Sequence, residues 1–175
     1  MNPINNWNNI EATGNEEYKR LVPGGYVCRI IKVEDRPEKS YLYMELDISE
    51  GEYMNYASNC MERNGFWPIK LFRSYSDKAA GMFKGFIQQI EQTNPGYHWD
   101  WKEQTLVGRV IGVVLGEEEY KKMDGSIGTR LNITRTKTPA DIRDGNFKVP
   151  EKKLLPKEEP IASFAPVDDG GELPF

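Results

Sequence analysis

The sequence is short of the residues from which active sites are commonly built. One histidine, His98, and two cysteines, Cys28 and Cys60, are spread over 175 residues. No Cys-x-x-Cys or His-Glu-x-x-His spacing occurs, so zinc has no framework here. The cysteines lie far apart and read as two small semi-buried thiols, not as a disulfide. His98 stands in the aromatic loop "NPGYHWDW", where a lone imidazole packs or hydrogen-bonds and does not act as a general base. Glycines 108, 112 and 116 match neither phosphate-cradling spacing and read as bends in a curved strand. No nucleophile–base set emerges. The chain is expected not to be an enzyme and to need no cofactor or metal.

Long apolar runs are missing too. None approaches the roughly 18–20 residues that cross a bilayer, so no membrane association is expected. The N-terminal stretch "MNPINNWNNIEATGNEEYKR" lacks a basic segment followed by an apolar one. No signal peptide is expected, and the cytoplasm is the expected compartment. Excess positive charge is also absent. The net charge is −4, and residues 150–175 carry −3 of it, which leaves the rest at −1. A nearly neutral body is no polycation, so any nucleic-acid site must be a local patch.

What the chain does have is strand pattern. "YVCRIIKVED" from Tyr26 is rich in β-branched residues. "YLYMELDIS" alternates, with Leu42, Met44, Leu46 and Ile48 on one face and Tyr41, Tyr43, Glu45 and Asp47 on the other. "RPEK" (36–39) joins these runs as a hairpin loop. "FWPIKLFRSY" (66–75) predicts a third strand, with Pro68 at its start or on an edge. "SDKAAGMFKGFIQQIEQTNPG" predicts a helix capped by Ser76, with Ala79, Phe83, Phe86, Ile87 and Ile90 on one face and a stop at Asn94-Pro95-Gly96. Two further strand runs flank Met123-Asp124-Gly125, and Asp-Gly between such runs predicts a hairpin.

Three strands, a helix and two strands is the order of the OB-fold. The expected class is therefore mainly β, a five-stranded barrel with one helix between the third and fourth strands. An open α+β sheet is the alternative. The domain is expected over 21–145, after an N-terminal arm (1–20). Residues 150–175 hold five of the eleven prolines, and a disordered linker is expected over 146–167.

Single-stranded nucleic acid is held by aromatic faces that stack bases and cations that meet phosphates. Candidates of both kinds interleave here. They are Trp67, Lys70, Phe72, Arg73 and Tyr75 on the third strand and Tyr41 and Tyr43 on the second. Lys121, Lys122, Arg130 and Arg135 lie along the last hairpin, and Arg29 and Lys32 on the first strand. The competing reading is ordinary strand packing. It is weakest for Tyr41 and Tyr43, whose strand already fills its core face with aliphatics. Trp67 is ambiguous, because it shares the parity of Ile69 and Leu71.

The sequence closes on "DDGGELPF", with Asp168, Asp169 and Glu172 ahead of Leu173-Pro174-Phe175. This ending resembles the C-terminal tip of bacterial and phage single-stranded DNA-binding proteins, in which an OB-fold is followed by a disordered linker and an acidic run that ends in an apolar residue, Pro and Phe. Here Gly170-Gly171 interrupts the acids and Leu173 precedes the proline. The body, from Leu21 to about Thr138, looks most like the single-stranded DNA-binding-like proteins of phages of Gram-positive bacteria, which would place it in the host cytoplasm. The resemblance implies sequence-independent binding of single-stranded DNA during replication and recombination. It also implies that residues 168–175 recruit replication, recombination and repair proteins. A terminal Phe can enter an apolar pocket while its carboxylate meets a basic residue, and a linker of about 22 residues reaches roughly 25 Å. Homo-oligomerisation is left open. A different class of function, an adaptor or inhibitor that occupies a host protein through the tip alone, fits the neutral body as well.

Overall fold

The structure is a computed structural model, and it describes residues 2–10 and 19–157. The expected tip, residues 168–175, and the second half of the expected linker lie outside the described residues. Five strands form one antiparallel sheet: β1 (Gly24–Arg36), β2 (Tyr41–Ile48), β3 (Lys70–Ser74), β4 (Val110–Lys121) and β5 (Ile127–Lys137). Their order across the sheet is β3-β2-β1-β4-β5. Helix α1 (Tyr56–Asn64) joins β2 to β3, α2 (Ala80–Thr93) joins β3 to β4, and α3 (Pro139–Arg143) follows β5. Among the described residues no helix is long and apolar enough to cross a membrane.

β1 pairs with β2 along most of its length and with β4 through its first half. A bulge between Ile30 and Lys32 breaks its alternation. Cys28, Ile30 and Val33 therefore all face the core, where Leu42, Met44, Leu46 and Ile48 of β2 meet them. Phe83, Phe86, Ile87 and Ile90 of α2 cover the other side of this core, as their helical spacing predicts. Each such side chain, fully buried, contributes about 1.5–3 kcal/mol. Both thiols are free and buried.

The closed barrel does not form. No ladder joins β3 to β5 among the described residues. Side chains bridge the two edges instead. Arg73 Nη2 donates to Thr136 Oγ1 at 3.0 Å, and that hydroxyl donates to Gln89 Oε1 of α2 at 2.8 Å. Gln89 Nε2 returns a bond to the Thr136 carbonyl at 3.2 Å. These polar side chains take the place of a ladder across the seam, where β3 presents only five residues.

Several local expectations change. α2 starts at Ala80, after a single 3-10 turn over Asp77–Ala79. The Ser76 hydroxyl does not cap it but pairs with Ser74 Oγ at 3.0 Å. Helix α1 has no counterpart in the periodicity. Its first turn is held from another element, because the Asp47 carboxylate of β2 accepts from Ala57 N (2.8 Å), Ser58 N (3.1 Å) and the Ser58 hydroxyl. Gly65, at φ 75, ends it. The first part of the expected linker is packed. The Phe147 ring lies over Gly25, where a Cβ would come within 2.6 Å of it. Lys153 N bonds to Glu117 O and Glu119 N to Lys153 O, both at 2.9 Å, so this segment lines the edge of β4 beyond the reach of β1.

Asp47 is a buried acceptor that satisfies several donors at once. Asp47→Ala strands those donors and is expected to cost about 3 kcal/mol in urea unfolding, with Asp47→Asn losing less.

Candidate nucleic-acid interface

The bulge in β1 returns Lys32, Glu34 and Arg36 to the outer face, which they share with the outward residues of β2 and β3. The registers align three rows across the strands: Arg36–Tyr41–Ser74, Glu34–Tyr43–Phe72 and Lys32–Glu45–Lys70. Phe72 sits at the centre and is 55% exposed. Its ring lies 5.7 Å from Tyr41 and 5.3 Å from Tyr43, in edge-on and tilted contacts. The three rings make a continuous aromatic strip, bordered by Lys32, Arg36 and Lys70.

The border is partly neutralised from within. Glu34 pairs with Lys32 at 2.6 Å and with Arg36 at 2.5 Å. Lys32, hydrogen-bonded and charged beside it, holds the Glu34 carboxyl below its ordinary range, and Glu34 in turn raises the Lys32 ammonium. Tyr43 donates its phenol to Glu45 at 2.8 Å. Burial first, and then that bond, push its ionisation upward. Lys70 is exposed, and no side-chain partner is recorded for it among the described residues.

The other expected site residues divide. Trp67 belongs to the core edge: its Nε1 donates to Leu46 O at 2.8 Å and its ring packs on the core. Arg73 is committed to the β3–β5 seam, with its guanidinium 5.4 Å over the Phe86 ring. Burial lowers its pKa, and its Nε has no partner among the described residues. Tyr75 packs on Phe83 and donates to Asp35 at 2.8 Å. Arg29 is exposed on β1, opposite Asp47 in register. Lys121 and Lys122 lie at the exposed tip of the β4–β5 hairpin. Arg130 is paired with Glu118 at 2.6 Å and lies 5.2 Å over the Tyr120 ring. Arg135 is exposed on β5. Along the sheet β1 stands between the aromatic strip of β2 and β3 and the β4–β5 hairpin that carries these cations.

Sequence reasoning missed Arg36 and Glu34 as members of the face; it set Glu45 there beside Tyr43 but gave it no part in the site. The short 36–39 turn held the signal for Arg36, because a tight hairpin there sets it opposite Tyr41. The bulge gave no local signal. The chain matches no family model and no curated protein.

Trp67 and Lys70 lie three residues apart with opposite duties. Trp67→Phe leaves the Leu46 carbonyl unpaired and is expected to lose about 1 kcal/mol of stability in urea. Lys70→Ala is expected to stay within about 0.5 kcal/mol of the parent.

Proposed function

We propose that the protein is a non-enzymatic, sequence-independent binder of single-stranded DNA, and that the outer face of β1, β2 and β3 is the binding surface. The carrying observation is the solvent-facing strip Tyr41–Phe72–Tyr43 bordered by Lys32, Arg36 and Lys70. A core needs no such rings on its outside. Bases stack on them at roughly 1–3 kcal/mol each, and the bordering cations meet the phosphates. The strand order and the helix between β3 and β4 support an OB-fold left open at the β3–β5 seam. In that fold this face is flanked by the β1–β2 turn and the β4–β5 hairpin, where Lys121 and Lys122 lie. Residues 168–175 are proposed to recruit replication, recombination and repair proteins. This part rests on the resemblance of the sequence alone.

Glu34 tunes the surface. It occupies Lys32 and Arg36 in the free protein, and a phosphate must displace it to use them. Binding is then weaker than three free cations would give, and the salt dependence is shallower.

The test is an anisotropy titration of a labelled dT oligonucleotide, at two salt concentrations, with the full chain and with a chain lacking residues 168–175. Binding that weakens as salt rises is expected, and Phe72→Ala is expected to reduce affinity about 5- to 150-fold. No binding by either chain defeats the proposal and leaves the tip-only adaptor as the reading to pursue. Glu34→Gln is expected to tighten binding and to steepen the slope of log K against log salt by about 1 to 2. An unchanged slope would show that Lys32 and Arg36 stay away from phosphates.

A further inference from the structure

A second aromatic run leaves the edge of the proposed surface and ends on an exposed indole. Tyr75 follows β3, and its backbone N–H bonds at 2.9 Å to the carbonyl of Ser40, the residue just before Tyr41. From Tyr75 the rings step to Phe83 (6.1 Å), then Trp99 (6.0 Å), then Trp101 (6.0 Å). Phe83 is buried in the core, Tyr75 and Trp99 are half-buried, and Trp101 is 80% exposed. Met82, next to Phe83 in sequence, is 72% exposed.

The loop that presents Trp101 holds two unfavourable features within an otherwise well-tied turn. Trp101 holds φ 65, a left-handed conformation that bulky residues avoid. The Trp99 indole N–H is buried with no hydrogen-bond partner among the described residues. Contacts to α2 and β1 keep the geometry in place. Trp99 N donates to Glu91 Oε1 of α2 at 2.9 Å, and Gln104 Nε2 donates to Val33 O of β1 at 3.0 Å. Strain that a rigid frame maintains, with a large ring held out in water, marks a surface that meets something. Cations are present along the way. Lys78 is exposed at the entry to α2, and Lys102 adjoins Trp101. Lys102 pairs with Asp100 at 3.2 Å, with both side chains largely in water, and such a wet pair is readily exchanged for a phosphate.

We infer that Trp101, supported by Trp99, is a second base-stacking subsite for single-stranded nucleic acid, reached from the sheet past the 36–41 turn, with Lys78 and Lys102 as its phosphate contacts. This rests on the proposed binding role of the β1–β2–β3 face and extends the strand's path beyond it. The backbone bond to Ser40 sets the start of this run beside Tyr41, and its exposed end pairs an indole with the neighbouring Lys102, the same combination of ring and cation that the sheet face presents. An indole face also accepts any base, as a sequence-independent binder requires.

The experiment uses the full chain, a labelled dT oligonucleotide of about 16 nucleotides, and the variants Trp101→Ala, Trp101→Gly and Trp101→Tyr. Trp101→Ala and Trp101→Gly are expected to weaken binding about 5- to 150-fold, the loss of one stacked base, and Trp101→Tyr to retain most of the affinity. Trp101→Gly relieves the left-handed backbone, so its melting temperature is expected to equal or exceed the parent's while its affinity falls. A purely structural tryptophan cannot give that combination. If the parent binds and both small variants bind equally well, the subsite is overturned and the sheet surface stands. If the parent itself fails to bind, the sheet reading falls and the subsite falls with it. If the substitutions change the sedimentation of the protein and leave affinity untouched, the indole belongs to an interface between copies, and the inference is overturned.

Discussion

Everything in this molecule turns on the bulge in β1. β1 serves two ladders at once, and a regular strand of thirteen residues would keep one parity throughout. Ile30 and Val33 could not then both enter the core. The extra residue between Ile30 and Lys32 resets the parity. Val33 turns inward into the core, and Lys32, Glu34 and Arg36 turn outward beside Tyr43 and Tyr41. The irregularity that lets one strand line a curved core thus also assembles the candidate surface. A bulge adds twist and bends the strand that carries it, which suits a sheet whose two edges must approach each other.

Those edges meet through chemistry instead of a ladder. Arg73, Gln89 and Thr136 link β3, α2 and β5, with the guanidinium lying on the Phe86 ring. Pairing the strands would have satisfied the backbone fully. The clasp leaves Arg73 Nε unpartnered and ties the seam to the helix that plugs it. Backbone pairing is also completed from outside the five strands, where residues around Lys153 continue along β4 beyond the reach of β1. Gly116 permits this approach, since a Cβ there would come within 2.9 Å of Pro150.

Electrostatics on the outer face follow the same economy. Three cations border the aromatic strip, and Glu34 holds two of them. Glu34 and Glu45 offset two of the three positive charges on this face, in keeping with a nearly neutral body. The left-handed Trp101 and the unpaired Trp99 donor place local strain in the loop after α2.

Much of this was legible in the sequence where the signal was local. The alternation of residues 41–48 placed Leu42, Met44, Leu46 and Ile48 inside and Tyr41 and Tyr43 outside, because side-chain direction in a strand has a period of two. Asp124-Gly125 marked its hairpin, and the spacing of Phe83, Phe86, Ile87 and Ile90 marked the buried face of α2. The rest depended on partners distant in the chain. Helix α1 is capped by Asp47, ten residues before Ala57, so no local cap announced it. Trp67 and Arg73 carry the same residue types as a binding site, yet Leu46 claims one and Thr136 the other. Composition and periodicity determined the strands, the main helix and the outward aromatic pair, since these follow from the preferences of neighbouring residues. Only the tertiary structure decided the bulge, the open seam and the division of aromatics and cations between core and surface. Each of those depends on which groups, far apart in sequence, compete for the same hydrogen bond or the same buried space.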